Sequence, residues 1–288
     1  MSLKRITEEK PKIVISSKSF DEDYKRLQEK YNVSRVYTPD HYHIVSDLDE
    51  NVVGIIAGTE EITAEIMEYA PNLKVISRYG IGTDNIDMDY VNKHDIKVCT
   101  TTSHVNAVAE HTMMFILAHL KNILNINKTK NNLLEGKTIG MIGFGRVGQK
   151  LYDLLKPFNV NVIRYDINKS TYHHYVSLEE ILKKSDIITL HLPETKETIN
   201  MIDYEEFALM KDDVIFINTS RARIVNESAL FDFAKNRYHK IALDVCLHPN
   251  LFEDMDNVII THHEASFTEE TRKQMAEEAI ENLLGALK

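Results

Sequence analysis

The feature that most constrains this chain is a glycine-rich turn, Gly143-Phe144-Gly145-Arg146-Val147-Gly148, set between two segments of different period. Thr138-Ile139-Gly140-Met141-Ile142 before it is a short apolar run that reads as a buried strand, and Gln149 to Leu155 after it reads as a helix. In such a strand–turn–helix the first glycine makes the tight turn and the second lets backbone approach a pyrophosphate. The third packs helix against strand, and the free N–H groups at the helix start bind the anion. The next strand-like run ends at Asp166, near the ~20-residue offset at which an acid accepts hydrogen bonds from the adenosine ribose. A carboxylate there repels a 2′-phosphate, so the cofactor reading is NAD rather than NADP. Arg164, two residues earlier, is expected on the other strand face and weakens that reading only slightly. A strand–helix turn with no ligand is the plainer alternative. Strand, loop, helix and acid in register favour the dinucleotide.

The rest of the chain repeats the same rhythm. Lys12-Ile13-Val14-Ile15-Ser16, Val52 to Ala57, Leu73 to Ser77 and Lys97-Val98-Cys99 read as strands, with helices over Asp21 to Lys30 and Ala64 to Tyr69. Runs apolar on both faces and separated by helices indicate a parallel sheet covered on both sides. Val105 to Ile126 is a long helical pattern. Strands then follow at 138–142, 161–165, 187–190, 214–218, 241–245 and 258–260, as a dinucleotide-binding sheet requires. The last helix, about Thr268 to Leu287, is expected to pack back on the first domain. The fold class is therefore α/β, with two Rossmann-like or flavodoxin-like lobes and a cleft between them. The boundaries are 1–100 plus 267–288 for a discontinuous substrate domain, and 101–266 for the NAD-binding domain.

Bulk properties exclude several function classes. A formal net charge of −10, from 34 Lys plus Arg against 44 Asp plus Glu, disfavours nucleic acid or an anionic membrane as a partner. No run of apolar residues is long enough to span a bilayer, and Met1-Ser2-Leu3-Lys4-Arg5 does not open a signal peptide. Two cysteines, Cys99 and Cys246, make no disulfide framework and fit a reducing cytoplasm, the expected location. His41 with His43, His173 with His174 and His262 with His263 invite a metal reading. None has ligand spacing, and adjacent strand residues point to opposite faces, so no metal is expected.

Three segments follow or end strands at the carboxyl edge where ligands bind in such sheets: Asn218 to Arg223, Ala242 to Val245, and Thr261 to Ser266. An arginine and a histidine there suit reduction of a 2-keto acid. The guanidinium forks onto the carboxylate and steadies the carbonyl oxygen, and imidazolium protonates that oxygen as hydride arrives.

From residue 70 onward the chain resembles the D-isomer-specific 2-hydroxyacid dehydrogenases, among them the phosphoglycerate, glycerate and D-lactate dehydrogenases. Ser77 to Asp87 resembles the family's substrate loop, so Tyr79, Gly80, Ile81 and Gly82 are expected to meet the substrate carboxylate. Ala107-Val108-Ala109-Glu110-His111-Thr112 resembles the start of its interdomain helix, and Phe267 to Arg272 the opening of its C-terminal helix. The resemblance implies Arg221 as the substrate-binding arginine, Asp244 as the nicotinamide-side aspartate and His263 as the acid/base. It adds Thr100, Arg146, Val147, His191, Pro193, Thr198, Thr219, Ser220 and Ala265 to Gly143, Gly145, Gly148 and Asp166 around the cofactor. It also implies a homodimer and a small 2-keto or 2-hydroxy acid as substrate.

The chain departs from that family in one place above all. A Glu-Pro normally follows the Leu-Asp-Val segment, its glutamate pairing with the catalytic imidazolium. Here Asp244-Val245-Cys246-Leu247-His248-Pro249 is one residue shorter and carries His248, which joins the candidate catalytic set. Loss of an anion beside an imidazolium lowers its pKa, typically by about a unit or more. His263 is thus expected to be a weaker proton donor at neutral pH, with Glu253 and Glu264 the candidates to substitute. Ala222-Arg223 replaces the usual Gly-x, Asn226 stands where aspartate is common, and the Ile126–Gly136 segment is short and lacks tryptophan. Arg223 reads as solvent-facing rather than as a second substrate cation, and Arg78 as an ion-pair partner rather than a phosphate ligand. Rival readings are a formate- or phosphite-oxidising relative and an NAD(H)-sensing protein with little turnover.

Overall fold

The computed structural model describes residues 10–17, 24–36, 42–123, 131–167, 175–236 and 239–288, the side chains of 42 and 43 excepted. The described residues divide into two compact units, 1–104 with 268–288, and 105–267. The histidine pair at 173 and 174, the His41–His43 side chains, and the ends of the helices expected over 21–30 and 105–126 lie outside the described residues.

The first unit is a parallel sheet of β1 (Lys12–Ile15), β2 (Asn32–Arg35), β3 (Val52–Ala57), β4 (Val75–Arg78) and β5 (Lys97–Thr100), in the order β2-β1-β3-β4-β5. Short helices α1 (Lys25–Gln28), α2 (Tyr42–Val45), α3 (Ala64–Glu68) and α4 (Met88–Lys93) link the strands. The edge strand β2 has no counterpart in the sequence reading. Its residues, Asn-Val-Ser-Arg, are half-buried or exposed and lack the apolar run that marks the inner strands.

The second unit starts with α5 (Val105–Leu120) and builds a parallel sheet from β6 (Thr138–Ile142), β7 (Asn161–Tyr165), β8 (Ile187–Leu190), β9 (Ile215–Asn218), β10 (Lys240–Leu243) and β11 (Val258–Ile260). The helices α6 (Arg146–Leu155), α7 (Leu178–Lys184), α8 (Tyr204–Ala208) and α9 (Glu227–Ala234) cross between them. The order β11-β10-β9-β8-β6-β7 reverses at β6, and at such a switch point the carboxyl ends of parallel strands leave a crevice. The glycine turn follows β6. The chain then returns to the first unit as α10 (Glu269–Ala286), which packs on β3, β4 and β5.

Each sheet is buried on both faces, as expected for parallel strands. In the first unit one face joins Val14, Ile55 and Ile76 to Ile62 and Met67. The other places Ile13, Ile15 and Ile56 against Met275, Ala279, Ile280 and Leu283 of α10. In the second unit Phe216, Ile188 and Leu243 face the α7–α9 side, and Met141, Ile217 and Ala242 face α5 and α6. Among the described residues no helix is long and apolar enough to cross a membrane.

Candidate active site

Gly143 has φ +89°, and a Cβ on it would lie 2.4 Å from the carbonyl oxygen of His191, so only glycine fits this turn. Gly145 caps α6 from extended backbone, and a Cβ there would meet nothing within 4 Å. The helix it opens is ten residues long, and a dipole of that length favours an anion at its start. The Asp166 carboxylate accepts the Phe144 N–H at 2.7 Å, while Gly143 N–H donates to Tyr165 at 2.8 Å. Acid and glycine turn are thereby fixed to each other. Open space at Gly145, a free helix start and an acid at the end of β7 are what a dinucleotide needs.

Arg164 does not lie on the opposite face as expected. Residues two apart on a strand share a face, and its guanidinium packs over the rings of Phe144, at 4.3 Å, and Tyr152, at 4.8 Å. Its charge is thus set against aromatic faces, next to the residue whose N–H holds Asp166. His191 follows β8, and burial pushes its pKa down to about 4, so the ring is neutral. The Thr198 hydroxyl donates to the Pro193 carbonyl at 2.7 Å and accepts the Thr195 N–H at 2.8 Å, closing the turn after β8. Arg146 is exposed and Val147 half-buried at the start of α6. Thr100 ends β5 in the first unit, where its carbonyl accepts from Asn282 at 3.1 Å.

Arg221 follows β9 and is presented by a braced turn. The buried Asn218 accepts the Ser220 N–H at 2.9 Å and donates to the Arg221 carbonyl at 2.9 Å. Ser220 Oγ donates to Leu190 at 2.6 Å, and the hydroxyls of Thr219 and Thr112 meet at 3.1 Å. Arg221 itself is half-buried, and its Nη1 donates to the Ser220 carbonyl at 2.8 Å. Arg223 is 60% exposed and pairs with Glu194 at 3.2 Å, which keeps it at the solvent.

Asp244, just past β10, is 1% exposed. Its Oδ1 accepts from the Thr261 hydroxyl at 2.5 Å and from Glu264 N–H at 2.8 Å, and its Oδ2 from Ala265 N–H at 3.0 Å. Its carbonyl accepts the His263 N–H at 2.7 Å. The carboxylate expected beside a nicotinamide is thus built into the turn that carries His263. That turn follows β11, with His263 exposed and held at φ +56°, a left-handed conformation uncommon for a residue with a side chain.

A carboxylate from elsewhere in the chain reaches the loop of the absent family glutamate, but it meets His248. Glu227, in the first turn of α9, accepts the Leu247 and His248 N–H groups at 3.0 and 2.8 Å, and its Oε2 meets His248 Nδ1 at 2.5 Å. Burial raises the Glu227 carboxyl, but its hydrogen bonds to His248 and Cys246 prevail and hold it below the usual range. Nothing in the local sequence pointed to Glu227, because its partners lie about 20 residues away on another loop. Burial, and then the neighbouring Glu227 charge, push the Cys246 thiol up to about 12, so it stays protonated.

In the first unit, Gly80 has φ +144° and donates to the Thr101 hydroxyl at 2.8 Å. Tyr79 is turned into the core. Its N–H donates to Ala57 at 2.8 Å and its hydroxyl to the Arg272 carbonyl at 3.0 Å. Among the described residues no protein acceptor meets the N–H groups of Ile81 and Gly82, and the Ile81 side chain is exposed. Arg78 is buried beneath this loop. It donates to Asn85 Oδ1 at 3.3 Å and to the Tyr79 carbonyl.

Adjacent strands β9, β10 and β11 therefore present Arg221, Asp244 and His263 in series, with the glycine turn on the same sheet. The class of protein so defined is a dinucleotide-linked dehydrogenase. Residues 102–265 match the family model described as D-isomer specific 2-hydroxyacid dehydrogenase, NAD binding domain. A glyoxylate reductase of Thermofilum pendens is 34% identical over 284 residues, 88% of this chain and 84% of its own. A hydroxypyruvate reductase of Thermotoga maritima is 33% identical over 85% of this chain and 86% of its own. A D-lactate dehydrogenase of Aquifex aeolicus, solved with NAD and lactic acid, superposes with a TM-score of 0.84 at 27% identity, over 96% of this chain and 95% of that one.

The chain belongs to the D-isomer specific 2-hydroxyacid dehydrogenase family. It is an oxidoreductase that moves a hydride between NAD(H) and a 2-hydroxy or 2-keto acid.

Proposed function

We propose that the enzyme reduces a small 2-keto acid to the D-2-hydroxy acid, with Arg221 holding the substrate and His263 delivering the proton. The observation that carries this reading is the placement of both residues at the carboxyl ends of near-neighbour strands, β9 and β11, with Asp244 of β10 tied to the His263 turn. Bound NADH supplies the hydride. The Arg221 fork takes the substrate carboxylate and polarises the carbonyl as negative charge develops on its oxygen. His263 passes a proton to that oxygen and is reprotonated from solvent, to which it is exposed. In the first unit, the Ile81 and Gly82 N–H groups are donors of the kind a carboxylate takes.

Gly143, Gly145 and Gly148 with the first turn of α6 are assigned to the pyrophosphate, and Asp166 to the ribose. His191, Pro193, Thr198, Thr219 and Ser220 are assigned to the rest of the dinucleotide. His248, held by Glu227, is assigned to the rim of the site. The enzyme is further proposed to be a cytoplasmic homodimer.

The names of the relatives make glyoxylate and hydroxypyruvate the first substrates to assay. NADH oxidation should be followed with these and with pyruvate, from acid to weakly alkaline pH. Turnover that falls at least 100-fold in Arg221→Ala, while NADH affinity holds within about threefold, is the expected result. Saturable NADH binding with no turnover on any keto acid would overturn the reading.

A further inference from the structure

The Asp244 carboxylate does not stand alone behind the His263 turn. The Thr261 hydroxyl has one proton, and a carboxylate can only accept, so that proton goes to Asp244 Oδ1 at 2.5 Å. The Thr261 oxygen also lies 3.1 Å from Nε2 of His111, on α5. With the hydroxyl proton already committed, His111 must be the donor, which fixes it as the Nε2–H tautomer. The same nitrogen is 3.8 Å from Asp244 Oδ1, and the ring packs edge-on against Phe115 with centroids 4.6 Å apart.

A directional chain thus runs from His111 to Thr261 to Asp244. It ends at the Asp244 carboxylate, which also accepts the N–H groups of Glu264 and Ala265, while the Asp244 carbonyl accepts the His263 N–H. It encloses a residue at φ +56°, a conformation that persists only where surroundings enforce it.

We propose that His111 and Thr261 are positioning residues: they orient the Asp244 carboxylate, which in turn holds His263 in the left-handed conformation that presents its ring for proton transfer. Neither touches substrate in this scheme. The proposal rests on His263 as the acid/base and goes beyond it by assigning the proton-donor geometry to a helix remote in sequence. A single hydroxyl is the hinge. Thr261→Val removes it at nearly constant volume, and Thr261→Ser restores it.

The test is steady-state reduction of glyoxylate by the full-length enzyme, with NADH titration and thermal unfolding on the same samples. Thr261→Val is expected to lower kcat about 10- to 100-fold, the scale of a small misplacement of a reacting group. The KM for NADH should hold within about twofold, and Thr261→Ser should recover most of the rate. His111→Phe should resemble Thr261→Val, and His111→Gln, which keeps a donor, should lie between. A wild-type kcat in Thr261→Val would overturn the proposal. So would an equal loss of kcat, NADH affinity and melting temperature, which marks general loosening.

If the wild type turns over no keto acid, the acid/base reading itself fails. The positioning claim is then decided by histidine-labelled NMR, with the His263 ring resonance assigned from His263→Gln. Movement of that resonance in Thr261→Val but not in Thr261→Ser supports the claim. A resonance unmoved in both overturns it.

Discussion

His119 shows how burial alone sets the behaviour of a titratable group. It lies on α5, 5% exposed, with Nε2 2.8 Å from the Ile241 carbonyl, and burial pushes its pKa down to about 4. The unfolded chain takes up a proton near pH 6.5, and the folded chain does so only near 4. Over that window the unfolded state binds more protons, so stability is full above about pH 6.5 and is lost as pH falls toward 4. The loss amounts to about 3 kcal/mol at the lower end. Urea unfolding at pH 7 and pH 4 should show the wild type losing about that much more stability than His119→Gln; equal losses would contradict the assignment. Other residues show what a sequence withholds at this scale. Glu227, which meets His248, was invisible because the pair joins the start of α9 to a loop about 20 residues further on. The positions of Arg221, Asp244 and His263, each just beyond a strand end, were legible because those strands are apolar runs.

At the scale of elements, the glycine turn separates two demands that one motif satisfies. Gly143 is required by the fold, since a side chain would collide with the His191 carbonyl. The fold does not require glycine at Gly145, since a Cβ there meets open space and its φ of −74° suits any residue, and in the proposed function the pyrophosphate does. Gly143→Ala is therefore expected to cost more than about 2 kcal/mol of stability. Gly145→Ala should unfold within about 0.5 kcal/mol of wild type and still lose at least tenfold in NADH affinity. Denaturant melts with NADH fluorescence titrations check both. A Gly145→Ala enzyme that binds NADH normally would remove the pyrophosphate from this turn. The inner strands were readable for the same kind of reason: burial on both faces demands apolar side chains. The edge strand β2 is bound by no such demand, and its Asn-Val-Ser-Arg gave no signal.

For the whole molecule, the consequential fact is that each unit carries its own two-faced core. Leu283 and Ile280 of α10 complete the first unit from a segment remote in sequence, so that unit closes only once α10 has been made. The glycine turn proposed for the pyrophosphate belongs wholly to the second unit. NADH at about 100 times its Kd should therefore raise the stability of that unit by about 2.7 kcal/mol. Hydrogen exchange should show added protection across β6 to β9 that exceeds any across β1 to β3. Uniform protection of both sheets would indicate that the units unfold as one.

By itself the sequence determined the alternation of strand and helix, the glycine turn and the strand ends where the proposed site lies. These follow from local rules: buried strands must be apolar, a tight turn needs glycine, and parallel strands place ligands at their carboxyl edge. Only the tertiary structure decided what stands behind the reactive groups. Glu227 beside His248, Arg164 over Phe144, and the chain from His111 through Thr261 to Asp244 join segments distant in sequence. A hydrogen bond between such segments depends on how whole elements pack, and no local pattern records it.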